Sequence, residues 1–240
     1  MDTGDDFAPL ARHTLGAAAI AAVLVAACYF WIDRPVAFFV SRAGLNQHEP
    51  IKWLTYLPPV VQSYAPLAIG ILALRRARGP WTSWQRVLLV SLVSLIVADE
   101  FRTSLGLAAG RYWPETWFHI NPALAERPGG PVLMARAYLN NPSLLGNDQY
   151  GFHPFAVPGD VGSFPSGHAM RIVSLAAVWW LAVPRSRWLC AVACPPLIAS
   201  LVAMNYHFVG DVVAGCTLGG IVGVWAARLA SVAAPRKLAA

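Results

Sequence analysis

The chain has 240 residues, of which 57% are hydrophobic and 12% charged, and it contains ten Trp. That balance is too apolar for a soluble domain of this length and reads as an integral membrane protein. The formal charge of +6 is scattered through the connections without a basic run, which argues against a nucleic-acid partner and leaves the cations as topology signals.

Six apolar stretches follow one another, each near the roughly 20 residues that cross a bilayer core about 30 Å thick. Residues 14–32 come first. Asp2, Asp5 and Asp6 give them an acidic leader and the run continues through Tyr29, Phe30 and Trp31, so an uncleaved span is expected rather than a signal peptide. The next two are 56–74 and 87–109, the latter holding Asp99, Glu100 and Arg102. Residues 166–183 carry His168 and Arg171, and 188–206 and 208–230 complete the set. Cys28, Cys190, Cys194 and Cys216 all fall inside these stretches, as small buried hydrophobes rather than disulfide or metal partners.

Arg75, Arg76, Arg78 and Arg86 lie between spans two and three, Arg185 and Arg187 between four and five, and Arg236 and Lys237 after six. By the positive-inside rule these belong in the cytoplasm, together with both termini. The expected fold is therefore an all-α, six-helix bundle, one domain over 1–240, in a bacterial inner membrane. The 33–55 connection, the long 110–165 connection and the turn between spans five and six then face the periplasm. Residues 110–165 hold Trp113, Trp117 and Phe118, a short helical candidate at Pro131–Tyr138 and the flanking pairs Asn121-Pro122 and Asn141-Pro142. A connection this long in a compact protein is expected to be a lid or substrate loop.

Chemistry concentrates at two helix starts. Pro165-Ser166-Gly167-His168 opens span four, and its amides are expected to be unpaired at a positive helix end that attracts phosphate. Arg171 stands one turn further, either as a phosphate ligand or as a salt-bridge partner of Asp99 or Glu100. His207 and Asp211 stand four apart, so on a continuous helix the carboxylate would lie under the imidazole and fix its tautomer. Alternation of the spans brings Arg111, His168 and His207 to one side. No carboxylate cluster able to hold magnesium accompanies them, so neither metal nor cofactor is expected.

These residues resemble the type 2 phosphatidic acid phosphatases, or lipid phosphate phosphatases, over spans three to six. That family carries Lys, six residues and Arg-Pro; then Pro-Ser-Gly-His; then Ser-Arg, five residues, His, three residues and Asp. The second motif is intact at 165–168. In the third, Ser200, His207 and Asp211 are in register but Leu201 takes the Arg position. In the first, Gly110-Arg111-Tyr112-Trp113-Pro114 has Trp113 where an Arg would stand, and Gly106 takes the Lys position with Arg102 one turn earlier.

The resemblance implies a metal-independent phosphatase acting on a lipid phosphate or pyrophosphate at the bilayer surface. His207 would be the nucleophile that becomes phosphohistidine, Asp211 its orienting partner and His168 the acid. Arg111, Arg171, Arg102 and the Ser166 and Gly167 amides would hold the phosphate, with Arg171 standing in for the Arg missing at Leu201. Undecaprenyl pyrophosphate, phosphatidylglycerol phosphate, phosphatidic acid and lipid A all fit as substrates. A phosphotransferase using the same phosphohistidine is the nearest alternative. A transporter built on Asp99, Glu100 and Arg102 is the alternative from another class.

Overall fold

The computed structural model describes residues 7–114, 150–155 and 162–233. The helical candidate at 131–138, the two Asn-Pro pairs, Trp117, Phe118, the acidic leader, Arg236 and Lys237 lie outside the described residues. What is described is almost wholly helical, with an isolated antiparallel bridge between Arg111 and Phe152.

Helix α1 (Phe7–Ala27) runs through a π-helical turn at Cys28–Ile32 into α2 (Asp33–Ala43). This corrects the sequence expectation, which ended span one at residue 32 and began an outer loop there. The Asp33 amide donates to the Cys28 carbonyl across the π turn, so Asp33-Arg34-Pro35 continues the helix instead of stopping it. The short helix α3 (Glu49–Thr55) leads into α4 (Leu57–Ala77), so most of the expected 33–55 loop is helical.

Helix α5 (Ser83–Ala109) starts on a reciprocal cap. The Thr82 hydroxyl accepts from the Gln85 amide while the Gln85 side chain accepts from the Thr82 amide. It ends at Gly110, whose φ of 58° is left-handed, and a Cβ there would collide with the His153 carbonyl. Helices α6 (Gly167–Ala182), α7 (Arg187–Ala203) and α8 (Val209–Ala233) follow.

Among the described residues four segments are long and apolar enough to cross a membrane: Phe7–Ala43, Glu49–Ala77, Pro184–Ala203 and Val209–Ala230. The other two expected spans depart from that pattern for plain reasons. Helix α6 has 16 residues, and α5 carries Asp99, Glu100 and Arg102 in its second half.

Helix α6 is central, packed on α8, α5, α7 and α4. Its closest neighbour is α8, and a stripe of small residues explains why. Gly215, Gly219 and Gly223 recur every fourth residue, and added Cβ atoms would press into the carbonyls of Ser166, Met170 and Ser174. Between apolar helices in lipid, such a stripe lets two backbones meet and gain dispersion contact. The same contact holds the start of α6 beside the start of α8, where the two chemical motifs lie.

Candidate active site

The start of α6 is capped by Ser166, whose hydroxyl accepts from the Ala169 amide at 3.4 Å. Pro165 therefore precedes the cap and lies outside the helix. The Ser166 amide is not free for a ligand either, since it donates to the Asp211 carbonyl at 3.0 Å. That bond ties the start of α6 to the start of α8 and leaves the amides of Gly167 and His168, the first two helical positions, as the cradle.

His207 does not lie on a helix with Asp211. The chain leaves α7, folds back so that the Tyr206 and His207 amides both donate to the Leu201 carbonyl, and only enters α8 at Val209. Consequently the Asp211 carboxylate stands 3.9 Å from His207 Nδ1, beyond a hydrogen bond. The orienting contact is instead with the Ser163 carbonyl, 2.9 Å from Nδ1. A carbonyl oxygen can only accept, so Nδ1 carries the proton and Nε2 keeps its lone pair. His207 is 2% exposed, and burial, then the neighbouring His168, holds its pKa well below 6.5. The imidazole is therefore neutral at pH 7. Its ring centroid lies 6.0 Å from that of the partly exposed His168, and Trp113 covers it at 5.1 Å.

Asp211, at the third position of α8, reaches back to accept from the Phe208 amide at 3.0 Å. Its other oxygen accepts from Arg111 at 2.6 Å. Arg111 is itself held from the far side by Asp33, also at 2.6 Å, and Asp33 accepts from the Gly210 amide at 2.8 Å. All three side chains are fully buried. The Arg111 guanidinium also lies 4.4 Å from the centre of the Phe208 ring. Arg111, expected as a phosphate ligand, thus stands between two carboxylates that answer its charge. Asp33 escaped the sequence reading; its signal is a single carboxylate in the whole stretch from residue 7 to residue 48.

Arg171 also differs from the phosphate-ligand expectation. Its Nε donates to Asp99 at 2.9 Å, a second nitrogen donates to the same oxygen, and Gln62 donates to the other Asp99 oxygen. The charge is answered within α4, α5 and α6, which is the salt-bridge alternative. Leu201 lies in an apolar cluster with Ala169 and Val212, so nothing there calls for a replacement cation. Arg102 is placed quite differently. One amino group donates to the Gly162 carbonyl at 2.8 Å, its stem lies against Gly167, and its buried Nε has no partner among the described residues. A guanidinium with an unspent donor therefore sits beside the unpaired amides of α6. Among the described residues no three His, Cys, Asp or Glu side chains converge as a metal-ligand set.

Two histidines, an amide-bearing helix start and a half-buried arginine lie together, and the sequence matches the PAP2 superfamily over residues 87–233. The chain belongs to the PAP2 superfamily. It is therefore a membrane-embedded phosphoric ester hydrolase. The structure is similar to the crystal structure of the first transmembrane PAP2-type phosphatidylglycerolphosphate phosphatase from Bacillus subtilis, at a TM-score of 0.50 and 17% identity, covering 93% of this chain and 98% of that one. No match was found among curated proteins. In PAP2 terms the matched segment holds both histidines, Asp211, Arg102 and Arg111, whereas Asp33 comes from outside it.

Proposed function

We propose that this protein hydrolyses a lipid phosphate or pyrophosphate without a metal, through a phosphohistidine on His207, at the periplasmic face of a six-span bundle. The observation that carries the reading is the His207 imidazole, with Nδ1 spent on Ser163 and its ring 6.0 Å from His168 beside the amides that open α6. Nε2 attacks phosphorus as the bond from phosphorus to the leaving oxygen breaks, and the His168 imidazolium gives that oxygen its proton. The Gly167 and His168 amides and Arg102 hold the nonbridging oxygens, where negative charge must be stabilised. Neutral His168 then takes a proton from water as that water attacks the phosphohistidine, which releases phosphate and restores both histidines.

In this scheme Asp211 is a positioning residue. It anchors the turn that presents His207, through the Phe208 amide and Arg111, and its nearby charge favours the cationic phosphohistidine.

The site lies at helix ends with apolar helices around it, which suits an amphiphile whose phosphate sits at the bilayer surface. The protein of similar fold is a phosphatidylglycerolphosphate phosphatase, so phosphatidylglycerol phosphate belongs beside undecaprenyl pyrophosphate, phosphatidic acid and lipid A in a phosphate-release panel. His207→Ala is the blank, and a blank as active as the wild type would overturn the assignment. Release of inorganic phosphate with no acceptor present supports hydrolysis, while a strict acceptor requirement points to the phosphotransferase. Asp99, one of the three residues behind the transporter alternative, is paired with Arg171, which favours the phosphatase reading.

A further inference from the structure

We infer that the end of the bundle opposite the histidines holds a second lipid site, selective for an anionic phospholipid. A cavity of about 540 Å³ opens there, bounded by the first turns of α5 and the last turns of α6 and α8. That volume lies within the ~300–1,000 Å³ of small-ligand sites. It is remote from the chemistry. Val178 follows His168 by ten residues and Arg228 follows Asp211 by seventeen, which at about 1.5 Å per residue places the cavity roughly 15 to 25 Å along the helices.

The walls and the mouth differ in chemistry. Val87 and Val90 of α5 face Val178 and Leu181 of α6, making a slot of apolar branched side chains. Arg86 and Arg228 stand at its rim, and among the described residues no Asp or Glu lines it. Arg86 donates to the Trp81 carbonyl at 3.4 Å, a long bond that leaves most of its guanidinium for another acceptor. Among the described residues neither arginine pairs with a carboxylate. Trp84, also at the cavity, meets Trp179 edge to face at 4.7 Å, and paired tryptophans at span ends mark the depth of lipid headgroups.

An acyl chain fits the valine slot and a phosphate fits the two guanidiniums, whose forked donors match its oxygens. A net negative headgroup is preferred to a zwitterionic one, because a choline or ethanolamine cation would sit among the arginines. A free inorganic phosphate satisfies the rim and leaves the slot unfilled, so the occupant is the lipid.

The test is photolabelling of the full-length purified protein in vesicles, using phosphatidylglycerol with a diazirine in its acyl chain, against phosphatidylcholine of the same chain. Phosphatidylglycerol carries a phosphodiester and no phosphomonoester, so its labelling does not depend on turnover. Peptide mapping is expected to show several-fold more label from phosphatidylglycerol at residues 83–90 and 178–183, and no such excess on the lipid-facing side of α1. The double variant Arg86→Gln with Arg228→Gln should fall to the phosphatidylcholine level, and the Lys pair should restore part of the excess. Millimolar inorganic phosphate should leave the labelling unchanged. Equal labelling by the two lipids, an unaffected Gln pair, or displacement by phosphate would each overturn the site. Failure of the His207→Ala blank would overturn the catalytic reading and leave this labelling result standing.

Discussion

Arg102 and Arg171 are two half-buried cations on the neighbouring helices α5 and α6, and their partners separate their roles. Arg171 answers Asp99, so Arg171→Ala should act mainly on stability by leaving a carboxylate unpaired inside the bundle. Arg102 has an unspent donor beside the α6 amides, so Arg102→Ala should lower kcat by about 10²–10³, the usual effect of removing a preorganised oxyanion donor. Steady-state kinetics and thermal unfolding of the two variants check this, and a larger kcat loss in Arg171→Ala would reverse the assignment. His207 supplies a pH prediction at the same scale. Its folded pKa lies well below the value of about 6.5 expected in the unfolded chain, so below pH 6.5 the unfolded state binds a proton that the native state does not. Stability should therefore fall as pH drops from 7.5 to 5.5, and thermal midpoints of His207→Gln should lose that part of the slope. The two histidines were legible because their motifs are local in sequence. Asp99 was one of two partners the sequence offered for Arg171, whereas the Arg111 partner was not legible, since Asp33 comes from another helix and only packing selects it.

Helices α6 and α8 carry the amide cradle and the turn that presents the nucleophile, so their spacing sets the site. The glycines at 215, 219 and 223 were visible in the sequence at a four-residue repeat, yet such a repeat gains meaning only once the facing helix is known. Gly219→Leu should force α6 and α8 apart, because its side chain meets the Met170 backbone, which cannot swing away as a flexible side chain could. Loss of phosphate release together with a lower thermal midpoint is expected. Gly220→Ala is the matched control, since its Cβ reaches Val173 at an ordinary 3.8 Å. Equal damage from both would mean that helix propensity, not close approach, explains the glycines. The Asp33–Arg111–Asp211 network joins α2 and α8 to the chain leaving α5. Arg111→Ala leaves two buried carboxylates facing each other, so it should cost about 3–5 kcal/mol. Asp33→Asn should cost less, because the charged pair of Arg111 and Asp211 survives. Denaturation of the purified variants in detergent orders the two.

At the scale of the whole molecule, the all-helical, membrane-spanning character was readable from the apolar stretches, while the ends of the elements were not. The apolar stretch of span one ends at residue 32; the structure carries the helix on, and Asp33 meets a buried cation. That continuation gives the N-terminal segment a place in the catalytic end although the family match begins at residue 87. Orientation is the remaining consequence. Arg75, Arg76, Arg78, Arg185 and Arg187 lie at helix ends and connections away from the histidines, the end that the proposed orientation assigns to the cytoplasm by the positive-inside rule. A cysteine at exposed Glu49, on the histidine side, should react with a membrane-impermeant maleimide in intact cells whose outer barrier has been opened. A cysteine at exposed Arg78 should react only after the inner membrane is broken. The native Cys28, Cys190, Cys194 and Cys216 are buried or half-buried, and the wild type sets the background. The opposite pattern would move the site to the cytoplasmic leaflet and change its substrates with it. Periplasmic phosphates would then be out of reach, and Arg86 and Arg228 would meet the outer leaflet instead.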